Sequence, residues 1–562
     1  MKSKITATIL GAALILGTGQ AAAAKPADDV EVLVPPDITT TDPWLIVGDY
    51  ELTDGALYFT VPTSFDDGKP GASVWRRDLL PTADGVALGN AYNVGTTRVS
   101  NWDAGMAAVG DGLLFTAIAQ GGKLVRLGDD ALVTPLSETG MLPVESASAS
   151  WFTTNDELWP VPVGRAGATG GYLNDRADAW DTLPWDPEQT TSWNLDTAVS
   201  ETVVAWIERL QENDGDGSAI RVYANLIDEN GFVGDPVLLT SNDNPGAGDV
   251  VPFGGLTVSD EAIAWAAGSW TEDGIDEAEV QWVSVEDLSA EPTVVSDAAA
   301  PDLDGSNLGY VVLTDGSGDT VEILDTTTGD VVSSWTTENA WDLELNGDLA
   351  AVGVMVGGRE GVQLHSISGD TEVTAVPQFT DIAWSPFVRQ IDAIALAGIT
   401  TGYPDGTFRP MASVTREAMA AFLYRQAGEP AFTPPATSPF TDVTTGHPFY
   451  AEICWLASEG ISTGWTMANG TKQYRPGQPV SREAMAAFLY RFAGEPDVAA
   501  TSTGFVDVSS GHPFADAITW LSEEGISTGW STPAGAQFKP GASIERQAMA
   551  AFLVRYDDAT SK

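Results

Sequence analysis

The sequence predicts a multidomain protein, with an all-β N-terminal part made of repeated small sheets and an α-helical C-terminal part made of a threefold repeat. Three observations predict it. Short apolar strands, each announced by a polar turn, recur seven times between residues 54 and 354, with no helical period among them. The octapeptide AMAAFLYR occurs at residues 418–425 and 484–491, and returns as AMAAFLVR at 548–555. A chain of 562 residues is also too long for one core.

Taken in order, the chain opens with Lys2 and Lys4, an apolar run over residues 5–16 and the small-residue stretch GTGQAAAA, which ends at Ala24. This pattern reads as a secretory signal peptide over residues 1–24. No later stretch holds 18 uninterrupted apolar residues, so no transmembrane segment is expected. The expectation is an exported protein at the cell surface or wall, held there non-covalently or by a wall-directed contact. Charge is uneven: residues 25–378 carry a net −49 and residues 379–562 a net −6. So large an acidic excess argues against nucleic acid or anionic membrane as a partner of the N-terminal part, and reads as a solvated surface. The single cysteine, Cys454, leaves no internal disulfide. Its counterparts in the sister repeats are Asp392 and Thr519, which places it on the solvent side of a helix.

Residues 25–378 form the first domain. Strands begin at the turn acids Asp54, Asp111, Asp156, Glu201 and Asp260, at Ser306 and at Gly347 beside Asp348, about 41 to 59 residues apart. A second strand follows most of them, as in SVWRRDL at 73–79 and GVQLHSI at 361–367. Units of roughly 45 residues match propeller blades better than a sandwich, so the expected fold is a seven-bladed β-propeller. The acids read as corners of tight hairpins, where Asp-Gly and Asn-Gly supply positive φ. NDGDGS at 213–218 and DLDGSN at 302–307 space carboxylates as calcium loops do, but neither supplies the distal Glu, so no cofactor is assigned and calcium stays the alternative. Trp44, Trp102, Trp151, Trp193 and Trp341 stand near unit starts and read as packing between blades, with sugar stacking as the alternative.

Three repeats follow, at 379–430, 440–496 and 505–558, opening FTDI, FTDV and FVDV. Each holds a first helix (387–397, 449–459, 514–524), a GIxTG turn, a loop ending in F/Y-R/K-P, and a second helix that carries the octapeptide. Thr415 and Ser481 are natural N-caps, and Glu417 and Glu483 lie in the first turn, where the helix dipole favours acid. Met419, Phe422 and Leu423 recur at i, i+3, i+4 as a buried stripe. The octapeptide therefore reads as core, with the chemistry upstream of it.

Residues 379 to about 556 resemble three tandem S-layer homology (SLH) repeats, with TREA, SREA and ERQA standing where that family has T-R-A-E. The resemblance implies an α-helical pseudo-threefold spindle whose grooves bind secondary cell-wall polysaccharide, often carrying pyruvate ketals. Arg416, Arg482 and Arg546 open their helices, where free amides and the dipole favour an anion and a guanidinium can fork two bonds to a carboxylate. Arg409, Arg475 and Lys539 in the preceding loops add a second cation. Trp465, Trp530 and, in the first repeat, Tyr403 offer a flat face for a sugar. Asp381, Asp442 and Asp507 stand either as binding residues, as ion-pair partners of the arginines or as loop organisers. The third repeat has Gln547 for the motif acid and Glu545 for the cap, and the first lacks the GHPF found at Gly446 and Gly511, so one groove is expected to be weak. His447 and His512 read as loop caps. GISTG at Gly460 and Gly525 satisfies G-x-S-x-G, but Ser462 and Ser527 follow a helix and precede a loop, the reverse of a nucleophile elbow.

The favoured function is a wall-anchored surface protein that displays its propeller for binding or a structural role. The alternative is a surface hydrolase or lyase acting on glycan or peptide, which would gather carboxylates from several blades at one mouth of the disc. A lattice subunit is a third class, and it predicts ordered arrays.

Overall fold

The computed structural model describes the strand Val30–Val32, residues 50–64 and 70–98, short strand segments between 106 and 182, nearly all of 192–356, and 359–560 apart from residue 501. Residues 1–24, Trp44, Trp102, Asp111, Asp156 and 213–217 lie outside the described residues. The chain divides after Ala375 into two compact units.

The first unit is mostly antiparallel sheet. In its second half, three four-stranded meanders follow one another: Ser192–Val199 to Gly231–Asp243, Val251–Val258 to Thr293–Ser296, and Ala298–Asp304 to Val331–Thr337. Their second strands are apolar on both faces because each sheet is covered by its neighbours. Trp265 and Ile263 are fully buried with Val203, Ala205 and Ile207 of the sheet before, and Ala264 packs with Leu303 and Leu308 of the sheet after. Burying side chains of this size contributes about 1.5–3 kcal/mol each. Ahead of these lie the four-stranded sheet running from Ser146–Ala147 to Asp181–Thr182, and a ten-stranded sheet whose two halves meet at the single pair Thr97 and Ala117.

The two ends of this unit meet in three places. Val30–Val32 pairs antiparallel with Arg359–Ser366 and so completes the last sheet, Ala340–Asn346 to Arg359–Ser366. The Tyr50 hydroxyl accepts from the Gly353 amide at 2.9 Å and donates to the Ala351 carbonyl at 3.4 Å. Glu372–Ala375 adds parallel to Gly85–Leu88.

The acids expected at hairpin corners do more than shape turns. Asp260 Oδ1 accepts from Ser200 Oγ (2.8 Å), Thr202 N (3.1 Å) and Thr202 Oγ1 (2.8 Å) of the preceding sheet. Asp302 accepts from Thr257 Oγ1 at 3.0 Å and Leu345 N at 2.7 Å, which joins three successive sheets. Asp304 takes Gly347 N at 2.6 Å. Burial of Asp348 opposes its ionisation, but hydrogen bonds from Thr371, Ser368 and Ser366 outweigh it and hold the carboxyl below its ordinary value. Asn346-Gly347 and Asp304-Gly305 do place glycine at positive φ (58° and 56°), as tight corners require.

Among the described residues the second unit holds six helices: α1 (Val388–Leu396), α2 (Arg416–Gln426), α3 (Tyr450–Ser458), α4 (Arg482–Phe492), α5 (Ala515–Glu523) and α6 (Arg546–Thr560). Thr415 and Ser481 cap α2 and α4 by accepting from the amides of Ala418 and Ala484. Each second helix packs on the first helix of the next repeat: α2 on α3, α4 on α5, and α6 back on α1. The segments ahead of the second helices close the same cycle, with Val480 N donating to Val414 O, Ile544 N to Val480 O and Val414 N to Ile544 O, each at 2.9 Å. No helix among the described residues is long and apolar enough to cross a membrane.

Cys454 corrects its sequence expectation. It is buried, as are Asp392 and Thr519 in the sister helices. The first helices are covered by the preceding repeat, and a polar side chain on the covered face is tolerated because it bonds locally, as Thr519 Oγ1 does to the Ala515 carbonyl at 2.8 Å.

Candidate functional site: three cation cages between repeats

Every repeat opens with Phe-x-Asp, and the aspartate organises a loop. Asp381 accepts from the amides of Phe408 and Arg409, Asp442 from Tyr474 and Arg475, and Asp507 from Phe538 and Lys539, all at 2.7–2.8 Å. The residue after each aromatic is left-handed despite carrying a side chain, with φ of 59° at Arg409, 60° at Arg475 and 56° at Lys539. Such a conformation costs on the order of 1–3 kcal/mol, and the two-amide clamp holds it. A trans peptide directs its N–H and C=O to opposite sides. The carboxylate on one side therefore aims the preceding carbonyl at whatever stands on the other.

What stands there is the helix-opening arginine of the neighbouring repeat. Arg416 donates Nε–H to Tyr474 O (2.8 Å), Arg482 to Phe538 O (2.7 Å) and Arg546 to Phe408 O (2.7 Å). Each guanidinium then sits among three aromatic rings. Arg416 lies 4.4, 4.7 and 5.1 Å from Trp465, Tyr474 and Phe488; Arg482 lies 4.3, 4.8 and 5.1 Å from Trp530, Phe538 and Phe552; Arg546 lies 4.9, 4.6 and 5.3 Å from Tyr403, Phe408 and Phe422. The arginine side chains are 5–6% exposed. Burial lowers the pKa of all three, that of Arg482 to about 10. At neutral pH all three remain cations.

The outer cations lean on the same rings: Arg409 at 3.8 Å from Tyr403, Arg475 at 4.4 Å from Trp465 and Lys539 at 4.2 Å from Trp530. The rings therefore carry two cations apiece in place of a bare face. The helix starts also differ from expectation, since their amides are already committed. Arg416 N and Glu417 N donate to Gln478 O and Pro476 O, and the same pattern recurs at Arg482 with Ala542, Glu483 with Pro540, Arg546 with Ala412 and Gln547 with Pro410. Any anion must be held by the guanidiniums and not by free helix amides. The aspartates do not pair with the buried arginines. Their oxygens take the loop amides, so they organise the loop.

The two departures noted in the sequence face each other. Glu417 lies 3.2 Å from His447 of the next repeat and Glu483 lies 3.2 Å from His512. At the third interface Gln547 Oε1 accepts from Ser385 Oγ at 2.8 Å, so the missing acid and the missing histidine are one change. Both histidines also accept the amide two residues on, at Phe449 and Phe514, the expected loop cap.

The S-layer homology domain family matches residues 378–420, 439–486 and 504–550. These segments hold the cage arginines, the outer cations and two of the three rings of each cage, while Phe422, Phe488 and Phe552 lie two residues beyond each match. The chain carries three tandem SLH domains. The chain is 29% identical over 166 residues to cell surface glycoprotein 1 of Acetivibrio thermocellus, covering 27% of this chain and 7% of that protein. The chain thus spans a small fraction of the curated relative it matches. Among solved structures, the β-propeller domain of the trilobed protease from Pyrococcus furiosus gives a TM-score of 0.35 at 7% identity, over 59% of this chain and 98% of that one. A Mycobacterium tuberculosis puromycin-hydrolyzing peptidase gives 0.32 at 14%, over 58% and 54%.

Several residues of the SLH cages escape a reading by motif. Phe422, Phe488 and Phe552 belong to the octapeptide, which is therefore both core and cage wall. Ser462 of GISTG accepts from Arg416 Nη2 at 2.9 Å. The signal was repetition, threefold for the phenylalanine and twofold for the serine, which has Thr400 as its counterpart in the first repeat; repetition marks a shared role without saying to which repeat it is directed. The closing glycine of GIxTG has its own reason. Gly402 has φ of 67°, and a Cβ there would come within 2.4 Å of the Phe379 ring and 2.8 Å of Thr407 O, as Gly464 and Gly529 would meet Phe440 and Phe505. Among the described residues, no three His, Cys, Asp or Glu side chains converge as a metal site.

Proposed function

We propose that the three SLH domains form a pseudo-threefold spindle that anchors the exported chain non-covalently to a secondary cell-wall polysaccharide. The groups recognised are carboxylates, such as pyruvate ketals, and the anchor displays a seven-bladed β-propeller at the cell surface. The observation that carries this reading is the state of the buried arginines. Among the described residues none of the three forms an ion pair with a carboxylate; Asp442, Asp507 and Asp381 favour their charge only from a distance, and Arg482 and Arg546 have a single hydrogen-bond acceptor each, at Nε. A buried cation without an anion is costly, and each charge-assisted hydrogen bond it gains contributes about 1.5–3 kcal/mol. A polymer carboxylate entering the interface supplies the missing charge and matches the guanidinium fork.

The cyclic packing of α2 on α3, α4 on α5 and α6 on α1 supports the spindle. Stacked four-stranded sheets with a shared seam support the propeller, and dividing the ten-stranded sheet at Thr97 and Ala117 brings the blades to seven. The commitment of Asp260, Asp302 and Asp348 to hydrogen bonds within and between sheets supports display over catalysis.

The test is sedimentation of the full chain with isolated cell walls. Pelleting is expected, and so is its loss when wall pyruvate is removed or when Arg416, Arg482 and Arg546 all become lysine, which keeps the charge but not the fork. Undiminished pelleting in both arms would defeat the carboxylate reading.

A further inference from the structure

We infer that the three interfaces are unequal, and that the one between repeats 2 and 3, built on Arg482, Lys539 and Trp530, is the tightest anion site. This rests on the anchoring reading above and ranks its sites.

Three differences in hydrogen bonding set the order. At the first interface Arg416 commits a terminal N–H to Ser462 Oγ. The counterpart serine at the second is Ser527, which is 3% exposed with a buried Oγ that has no hydrogen-bond partner. Arg482 keeps the same place among its rings but makes no bond to this serine, so both its terminal nitrogens are without an acceptor and are not sealed from solvent. Arg546 at the third interface has the same two nitrogens uncommitted, but its outer cation is not: Arg409 Nη2 bonds Asp405 Oδ2 at 2.8 Å. Among the described residues Lys539 has no carboxylate within ion-pair distance.

An anion between repeats 2 and 3 thus meets two uncommitted cations, one buried and one outer. Between repeats 1 and 2 it must share Arg416 with a serine, and between repeats 3 and 1 it meets an outer cation already held by Asp405. Buried guanidinium donors outweigh exposed charge, because water screens the outer cations more strongly.

The experiment is isothermal titration of the full chain with methyl 4,6-O-(1-carboxyethylidene)-glucopyranoside at low salt. A tight phase of one equivalent is expected ahead of weaker ones. Arg482→Lys should weaken that phase at least tenfold, whereas Arg416→Lys and Arg546→Lys should weaken the later phases. Two gains of affinity cannot come from misfolding: Asp405→Asn should tighten a weak phase several-fold, and Ser462→Ala should do so by releasing Arg416. Three indistinguishable equivalents, or a tight phase that survives Arg482→Lys and disappears with Arg416→Lys or Arg546→Lys, would overturn the ranking and leave anchoring intact. An isotherm with no binding to any interface would overturn both.

Discussion

In the N-terminal unit Asp302 takes Thr257 Oγ1 and Leu345 N, and Asp260 takes Ser200 and Thr202; in the C-terminal unit Asp381, Asp442 and Asp507 each take two loop amides. The carboxylates are used alike. The cations are not. Residues 25–378 have few basic residues, and the buried Arg76 is paired with Asp78 at 2.7 Å. The C-terminal unit gathers six cations at three interfaces, of which Arg409 alone has a carboxylate partner among the described residues. The extreme acidity of the chain is therefore a property of its N-terminal unit, and the proposed ligand sites are the interfaces whose buried cations have no ion-pair partner among the described residues. The largest formal charge marks the less informative half.

The comparison breaks first at Asp442. If its carboxylate holds the left-handed Arg475 and aims Tyr474 O, Asp442→Ala should cost about 3 kcal/mol or more, because two charge-assisted bonds are lost and a strained residue is released. Differential scanning calorimetry should show the C-terminal transition drop by several degrees, together with loss of wall binding. Asp302→Ala should cost about 2 kcal/mol, leaving Leu345 N unpaired between sheets, and should lower the N-terminal transition with wall binding unchanged. A fall in wall binding with Asp302→Ala would mean that the two units are not separate in function.

The sequence made the parts legible but not their partners. Thr415 and Ser481 at N-caps, the buried stripe of Met419, Phe422 and Leu423, and an arginine at each helix start followed from local rules of capping and periodicity. That Arg416 belongs with Tyr474 and Phe488 of the following repeat did not follow, because a tandem repeat looks the same whether its helices pair within a unit or in a cycle. Cys454 was misread for the same reason. Its face is solvent-side in an isolated repeat and covered in a cyclic one. The free helix amides failed because carbonyls such as Gln478 O arrive from a segment about 60 residues away.

The third interface gives a smaller test. Gln547 Nε2 donates to Glu545 Oε2 at 2.8 Å while its Oε1 accepts from Ser385. Gln547→Glu should cost about 1 kcal/mol by setting a second acid beside Glu545, whereas adding Ser385→His recreates the Glu–His pair of the other interfaces and should recover most of it. Equal melting of the single and double variants would show that the acid and the histidine are independent features.

Asp405 is where an interface cation of the C-terminal unit is paired as Arg76 is in the N-terminal one. Hydrogen bonds from Thr407 and from Arg409 pull its pKa down to about 2, below the ordinary value of about 3.9. A depressed pKa means that the stabilisation is fully present above the ordinary value and is lost as pH falls toward 2. Both partners are half exposed, so the effect is small. Many carboxylates titrate over the same range, and the useful quantity is the difference between the melting curves of the full chain and its Asp405→Asn variant. That difference should be near constant above pH 5 and shrink between pH 4 and 2. A difference independent of pH would mean that Asp405 acts through loop shape and not through charge, and Arg409 would then be as uncommitted as Lys539.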